Sequence, residues 1–580
     1  MILSKYIPSI EWLKNYNKAD LKGDLSAGLT VGVMLIPQGM AYAMIAGLPP
    51  IFGLYASTIP LIIYALFGTS RQLAVGPVAM VSLLTAAGVG VLAEGGTAEY
   101  ITLAIALALM VGVIQFALGV FRLGFLVNFL SHPVISGFTS AAALIIGLSQ
   151  LKHLMGVDLD RSSYVHEILL QAVEHVSATH LPTLMVGLGG IAVILLLKRF
   201  VKAIPGQLVA VLLGIIVVWG LGLADSGVKI VGDIPQGLPS ITAPNLDLSV
   251  WQKLMPTALA ISIVSFMESI AVAKAIQSKH RNYKVVPNQE LISLGLANIF
   301  GSIFQSYPTT GGFSRTAVND QAGAKTGLAS IISAGLIVLT LLFLTPLFYY
   351  LPKAILASVI MVAVFGLIDL KEPKHLWRSN KTDFVMLVVT FFATLALGIE
   401  EGIATGVILS LIMVIYRTTK PHMAVLGKVP GTRVFRNIER FEDLETRDDV
   451  LIIRFDADLY FANINYFTEQ IEEMIEEHGT ESLRVVVIDA ESINHIDSSG
   501  VHALEQLITD LKERDIYLYL AAVKGPVRDS LHMGHLIEKI GEHRFFLTKQ
   551  GALDHIDRVL RGEDSSPRFS EYTLQTNLHD

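Results

Sequence analysis

Apolar stretches of about 20 residues, the length that crosses a bilayer as an α-helix, repeat along the chain from Leu25 to Tyr416. From about Lys420 onward the pattern changes, and short apolar runs alternate with charged, amphipathic ones. The first pattern predicts fourteen membrane segments, the first over 25–45 and the last over 401–416. Fourteen divides into seven plus seven around the polar connection 224–252, and an odd number of spans per half inverts the second half relative to the first. In transporters built that way, short or broken segments at matching positions point to the binding site. The third segment, 73–91, and the tenth, 309–322, match and are both broken. In the third, Arg71–Val75 reads as extended and Gly76-Pro77 interrupts it before a helix can begin at Val78. In the tenth, Tyr307-Pro308 leads to Gly311-Gly312, and Phe313-Ser314-Arg315-Thr316 opens a helix.

Composition supports this division. The chain of 580 residues is 52% hydrophobic and 16% charged, with a mean hydropathy of +0.57, against about 25% charged for soluble domains. The expected organisation is a cytoplasmic N-terminal segment (1–24), a transmembrane domain (25–418), a soluble domain (419–560) and a disordered polar tail (561–580). With the N-terminus inside, the inner connections collect Arg71, Arg122, Lys198, Arg199, Lys279, Lys284, Lys325, Lys371 and Arg417, the bias of the positive-inside rule. An even number of spans returns the C-terminus to the cytoplasm. The net charge of −7 gives no reason to expect nucleic acid as a partner. With no cysteine there are no disulfides or thiolate ligands, and no metal cluster, nucleotide loop or nucleophile–base pair is legible. Neither a cofactor nor an enzymatic activity is expected.

The two broken segments have a chemistry of their own. A helix N-terminus presents free N–H groups and about half a positive charge, so two half-helices meeting inside the membrane make an anion site without a formal charge. Pro77 suits a first helical turn, where its missing N–H is not needed, and Gly311 and Gly312 let the backbone come close to a ligand. Arg315 adds a full positive charge beside one N-terminus. Glu268, inside the eighth apolar run, calls for a partner or an aqueous cavity at that depth. It reads either as an ion pair with Arg315 that serves assembly or as a proton-coupling site. Glu400 and Glu401 fall in a short external loop and are assigned no role.

Several stretches resemble a known family. Ile36-Pro37-Gln38-Gly39-Met40-Ala41-Tyr42-Ala43, continuing through Gly47-Leu48-Pro49-Pro50 to Gly53-Leu54-Tyr55, is similar to the signature of the SulP sulfate permeases. Gly68-Thr69-Ser70-Arg71, Gly76-Pro77-Val78-Ala79 and the stretch from Tyr307-Pro308 to Ala317-Val318-Asn319 match as well, and the likeness runs from about Asp20 to Leu560. The resemblance implies an all-α membrane domain with a seven-plus-seven inverted repeat, core and gate subdomains, elevator-like movement and a homodimer. Carried over by motif, it puts Gln38, Tyr42, the backbone at Val78 and Ala79, and Phe313, Ser314 and Arg315 at a small inorganic anion. Glu268, within Glu-Ser-Ile-Ala, is similar to the proton-coupled sulfate branch.

In the C-terminal part, strands are predicted at 451–455, 483–488 and 516–520 and helices at 463–477 and 499–513, an α/β layer domain. Asp497-Ser498-Ser499-Gly500 resembles the switch loop of STAS domains, which marks Ser499 as a possible regulatory phosphosite; the alternative is that Asp497 and Ser498 cap the following helix. The expected function is proton-coupled sulfate symport in the plasma membrane, with the lipid bilayer, protons and the anion as partners. Bicarbonate or chloride movement by exchange or sodium coupling is the rival within transport. An anion-sensing receptor that signals through the STAS domain is the rival of another class.

Overall fold

The computed structural model describes residues 7–125, 131–159, 164–200, 205–280 and 283–561, and of Glu400 the backbone only. The first residues of the N-terminal segment and the tail beyond 561 therefore lie outside the described residues. The chain divides into two compact units, Met1–Ser410 and Leu411–Asp580.

In the first unit each of the fourteen predicted segments contains a helix: α1 Lys18–Ile45, α2 Ile51–Phe67, α3 Ala79–Gly90, α4 Ala98–Val120, α5 His132–Ser149, α6 Leu181–Phe200, α7 Gly206–Gly220, α8 Leu248–His280, α9 Pro287–Ile303, α10 Phe313–Gln321, α11 Leu328–Leu339, α12 Lys353–Phe365, α13 Lys381–Leu397 and α14 Ile399–Thr419. Helix α1 starts seven residues before the predicted segment because Asn17 and Asp20 cap each other: Asn17 Oδ1 accepts from the Asp20 N–H at 3.0 Å and Asp20 Oδ2 from the Asn17 N–H at 3.3 Å. Glu401, expected in a loop, lies in the first turn of α14.

The packing partners follow the two halves. Helix α1 packs on α10 and α11 as α8 packs on α3 and α4, α2 meets α11 as α9 meets α4, and α5 meets α13 as α12 meets α6. Exchanging each helix with the one seven places along thus preserves these contacts. They also sort the helices into one group, α1–α4 with α8–α11, and another, α5–α7 with α12–α14. The groups touch through α1 against α7 and α12, and α3 against α5. Within the first group the α1–α2 crossing is held close by two glycines: a Cβ on Gly53 would lie 1.9 Å from the Gly39 carbonyl oxygen. The glycines of the 36–55 stretch therefore have a steric cause, since any side chain at Gly53 would push α2 away from α1.

The second unit is a six-stranded sheet in the order β4-β3-β5-β6-β7-β8, with β3 Met423–Lys428, β4 Phe435–Asn437, β5 Val450–Phe455, β6 Val485–Asp489, β7 Tyr517–Ala521 and β8 Phe545–Phe546. Strands β5 to β8 are parallel, and β3 runs antiparallel to both β4 and β5. Alternation sorts the side chains: Leu451, Ile453, Val486, Ile488, Leu518 and Leu520 face one core and Val450, Ile452, Val485, Val487 and Tyr519 the other. Helices Ile464–His478 (α15) and Ser498–Glu513 (α16) contribute to the first core, and Lys549–Leu560 (α17) to the second. Strands β3, β4 and β8 were not predicted.

Candidate anion site

The two broken segments are hydrogen-bonded to each other. Val75–Gly76 (β1) pairs antiparallel with Thr310–Gly311 (β2), with Val75 opposite Gly311 and Gly76 opposite Thr310. The Gly312 N–H extends the ladder to the Ala74 carbonyl at 3.0 Å. From this ribbon the chain turns into α3 after Val78 and into α10 after Gly312, and neither N-cap residue offers a side chain to the first turn. The first N–H groups of both helices are left for another acceptor. Pro77 precedes the cap residue rather than entering the first helical turn, and its role is that of an acceptor: its carbonyl takes a hydrogen bond from Arg315 Nη1 at 2.5 Å.

Around the ribbon lies a polar shell. Thr310 Oγ1 donates to the Ser265 carbonyl at 2.6 Å and meets Ser269 Oγ at 2.8 Å, and Ser269 Oγ accepts from the Gly311 N–H at 2.8 Å. Thr316 Oγ1 accepts from the Ala74 N–H at 3.1 Å, and Asn319 Nδ2 donates to the Gln72 carbonyl at 2.9 Å. Tyr307 and Ser82 share a hydroxyl contact at 3.1 Å. Gly311, Tyr307, Thr316 and Asn319 fall in motifs quoted from the sequence, whereas Ser82, Ser269 and Thr310 were given no role there. The signal for Ser269 was the buried stripe Ser262, Ser265, Ser269 at helical spacing in an apolar run, of which Ser269 Oγ faces the ribbon and Ser265 Oγ accepts from Gln115 Nε2 at 2.6 Å.

Arg315 is 1% exposed, and its guanidinium lies over the ribbon's glycines: a Cβ on Gly312 would come within 2.7 Å of Nη2, and one on Gly76 within 3.5 Å. Its Nε and Nη2 are buried without a partner, as are Glu268 Oε2 and Gln38 Oε1. Buried donors and acceptors are nearly always paired; here Arg315 leaves two donors, and Gln38 and Glu268 one acceptor each, without a partner. No ion pair joins Arg315 to Glu268, so of the two readings of Glu268 the pair that serves assembly is absent. Gln38 and Tyr42 lie one turn apart on α1 and are buried, as are Val78 and Ala79, while Phe313 and Ser314 at the opening of α10 are exposed.

Two further polar centres hold the same group together. Glu290 is buried and accepts from Tyr64 Oη at 2.6 Å, the Thr69 N–H at 2.7 Å, Thr69 Oγ1 at 2.5 Å and the Ser70 N–H at 3.3 Å. The Gly68–Arg71 stretch is therefore a carboxylate cradle tying α2 to α9. Asp320 takes Lys279 Nζ at 2.5 Å and is bonded to His280, which ties the ends of α8 and α10. In the second unit Asp497 caps α16, accepting from the Gly500 N–H at 2.8 Å, and its other oxygen accepts from the Phe461 N–H at 3.0 Å. Ser499 is half-buried in the first turn.

Comparison with known proteins agrees with this geometry. The model of the Sulfate permease family matches residues 21–390 and that of the STAS domain residues 443–552. Sulfate transporter 4.1, chloroplastic, of Arabidopsis thaliana is 41% identical over 99% of this chain and 84% of its own length. High affinity sulfate transporter 2 of Stylosanthes hamata is 36% identical over 95% and 86%. Among solved structures, the murine Slc26a9 anion transporter in the inward-facing state superposes with a TM-score of 0.88, at 28% identity over 96% of this chain and 94% of that one. The transmembrane domain of the cyanobacterial bicarbonate transporter BicA gives 0.59, at 25% identity over 68% and 98%. The chain is a multi-pass membrane protein that belongs to the sulfate permease family of anion transporters and carries a C-terminal STAS domain.

Proposed function

We propose that the chain moves sulfate inward together with protons. The observation that carries the reading is the pair of buried, unpartnered donors Nε and Nη2 of Arg315 beside two uncapped helix N-termini. Sulfate offers four acceptor oxygens and no donor, which suits free N–H groups at Val78–Ala79 and Phe313–Ser314 and the open edge of Arg315. Gln38 and Tyr42 supply an amide and a hydroxyl from α1.

Glu268 supplies the coupling. An ionised carboxylate in the same water-poor pocket repels a dianion, and a proton on Glu268 removes that repulsion, so the two loads favour each other's binding. Energetically a co-transported cation is required: a dianion entering against about 100 mV, inside negative, faces about 4.6 kcal/mol, and one proton halves this. The division into two helix groups supports an elevator in which the group bearing the ribbon moves against α5–α7 and α12–α14. The protein works as a homodimer in the plasma membrane with both termini cytoplasmic, the orientation that the inner cluster of Lys and Arg favours.

The test is uptake of radiolabelled sulfate into proteoliposomes with and without an inward proton gradient. Wild type should respond to the gradient, Arg315→Ala should lose uptake, and Glu268→Gln should keep sulfate binding but lose the response. Gradient-driven uptake that persists in Glu268→Gln would sink the coupling role. Likeness to BicA sustains a second reading, bicarbonate as the cargo on the same helix ends, and flux of bicarbonate without sulfate flux would establish it.

A further inference from the structure

The second unit holds a cavity of about 290 Å³ at the β4–β3–β5 end of its sheet, and its lining includes the donor side chains of Arg436, Asn437, Arg440 and Arg454. Asn437 and Arg454 sit opposite Leu426 and Ala424 of β3, so they share the face that carries the second core and mark where that core ends. Arg436, Arg440 and Phe441 close the cavity from β4 and the turn after it. Asp456 is the single acidic residue in the lining, and it is saturated. It accepts from Arg454 Nε at 2.6 Å and Nη2 at 2.8 Å, pairs with His422 Nδ1 at 2.8 Å and takes a long contact from Ser492 Oγ at 3.4 Å.

That leaves Arg436 and Arg440 without a carboxylate among the described residues. Arg436 Nη1 has only a 3.5 Å contact to its neighbour's carbonyl and lies 6.0 Å over the Phe441 ring. Asn437 is 5% exposed; its Oδ1 accepts from the Glu439 N–H at 2.8 Å, which orients the amide, and its Nδ2 is then buried with no acceptor. A buried donor with no partner, in a lining that also holds two guanidinium groups free of carboxylates, favours an acceptor there. The volume is that of about ten waters, enough for a tetrahedral oxyanion with part of its hydration or with a small organic substituent against Phe441.

We propose that this cavity binds a tetrahedral oxyanion, free or carried as the ester group of a small soluble molecule, at a regulatory site in the STAS unit distinct from the transported anion's. Arg436 and Arg440 supply the charge, Asn437 Nδ2 the buried donor that fixes one oxygen, and the Arg454–Asp456 fork the rigid floor. The inference does not depend on which anion is transported.

The experiment is isothermal titration of the full-length protein in detergent with inorganic sulfate, inorganic phosphate and phenyl phosphate. It is run in the Arg315→Ala background to silence the membrane site, and the isolated-site heat is taken as the difference from the same background carrying Arg436→Ala and Arg440→Ala together, so that any anion still bound in the membrane cancels. Arg436→Ala and Arg440→Ala change exposed side chains and leave the fold intact. Each should weaken binding about tenfold or more, as loss of a charged hydrogen bond does. Asn437→Asp, which keeps the shape and adds a repelling charge, should abolish it. Tighter binding of phenyl phosphate than of the inorganic ions would assign the ester form, and the reverse order the free anion. Failure of all three probes to bind, or binding that Arg436→Ala and Arg440→Ala leave unchanged, would overturn the proposal.

Discussion

Gly312→Ala separates where the Arg315 charge sits from whether it is present. Gly312 has φ −91° and ψ 127°, a conformation alanine adopts freely, so the backbone is not strained by the change. The added Cβ, however, lies 2.7 Å from Nη2 and 2.8 Å from Cζ of Arg315. Ordinary contact begins near 3.4 Å, so the guanidinium must move by about 0.7 Å, away from the ribbon. Its 2.5 Å bond to the Pro77 carbonyl is then broken or much weakened. A hydrogen bond of a charged group is worth about 1.5–3 kcal/mol, and every 1.4 kcal/mol is about tenfold in affinity. Sulfate binding should therefore weaken by about ten- to a hundredfold while the purified protein keeps its thermal midpoint. Gly76→Ala is the contrasting control: its Cβ sits 3.5 Å from the same nitrogen, an ordinary contact, but its φ of +155° burdens the backbone, so stability falls before affinity does. In the Arg315→Ala background Gly312→Ala should add nothing, because the two changes act on one group. Unchanged affinity in Gly312→Ala, or an equal further loss in the double variant, would refute the claim that the ribbon sets the charge's position.

Glu290→Gln places an amide donor where the carboxylate now accepts from Thr69 and Tyr64, and should cost about 1–3 kcal/mol; an unaltered thermal midpoint in detergent would show that the cradle is dispensable. Asp449 is held below the usual carboxylate range by the Arg447 fork, at 2.9 and 2.7 Å, against the opposing effect of its partial burial. Because its folded value is depressed, its contribution is complete above about pH 4 and disappears as the pH falls through the folded value. With both partners about a third exposed, that contribution is about 0.5–1 kcal/mol. Urea titrations followed by hydrogen exchange in β5 should show Asp449→Asn less stable than wild type at pH 7, with the gap closing as the pH falls below the folded value, and a gap that does not narrow in acid would count against the pairing.

The membrane segments were legible because lipid imposes one length and one polarity on every span, so α1 to α14 appear as runs in the sequence. The breaks at Gly76-Pro77 and Gly311-Gly312 were legible for a related reason: backbone can leave the helix inside a membrane only where something else satisfies it. What satisfied it was not legible, because β1 and β2 are two residues each and stand 235 positions apart. No periodicity can appear in two residues. Strands β3, β4 and β8 escaped for similar reasons, two of them being two or three residues long and β3 lying in the charge-mixed stretch just after the last span. The sequence also left two readings of Glu268 open, a pair with Arg315 or a proton site. Opposite charges buried in one apolar region suggest a contact, yet the fold gives the guanidinium the Pro77 carbonyl instead and leaves the carboxylate oxygen unpaired.

That failed pairing bears on how a transporter of this design can work. Had Glu268 closed on Arg315, the site would be neutral and satisfied when empty, and an arriving anion would first have to break a buried ion pair, at a cost of about 3–5 kcal/mol. Leaving both groups open places that penalty in the empty protein and lets the ligand relieve it. The β1–β2 ribbon then has a second consequence. Since the N-termini of α3 and α10 are joined through its backbone bonds, and α8 is fastened to it through Ser265 and Ser269, the donors, the arginine and the carboxylate would stay in register in the proposed elevator movement. A site assembled from two helices that slid separately would lose its geometry at every step. Loosening the fastening without touching the charges, as Ser269→Ala does while leaving the Thr310 bond to the Ser265 carbonyl, should therefore lower the rate of uptake more than it lowers sulfate affinity at equilibrium. An affinity loss as large as the loss in rate would mean that Ser269 shapes the pocket rather than holding the moving parts together.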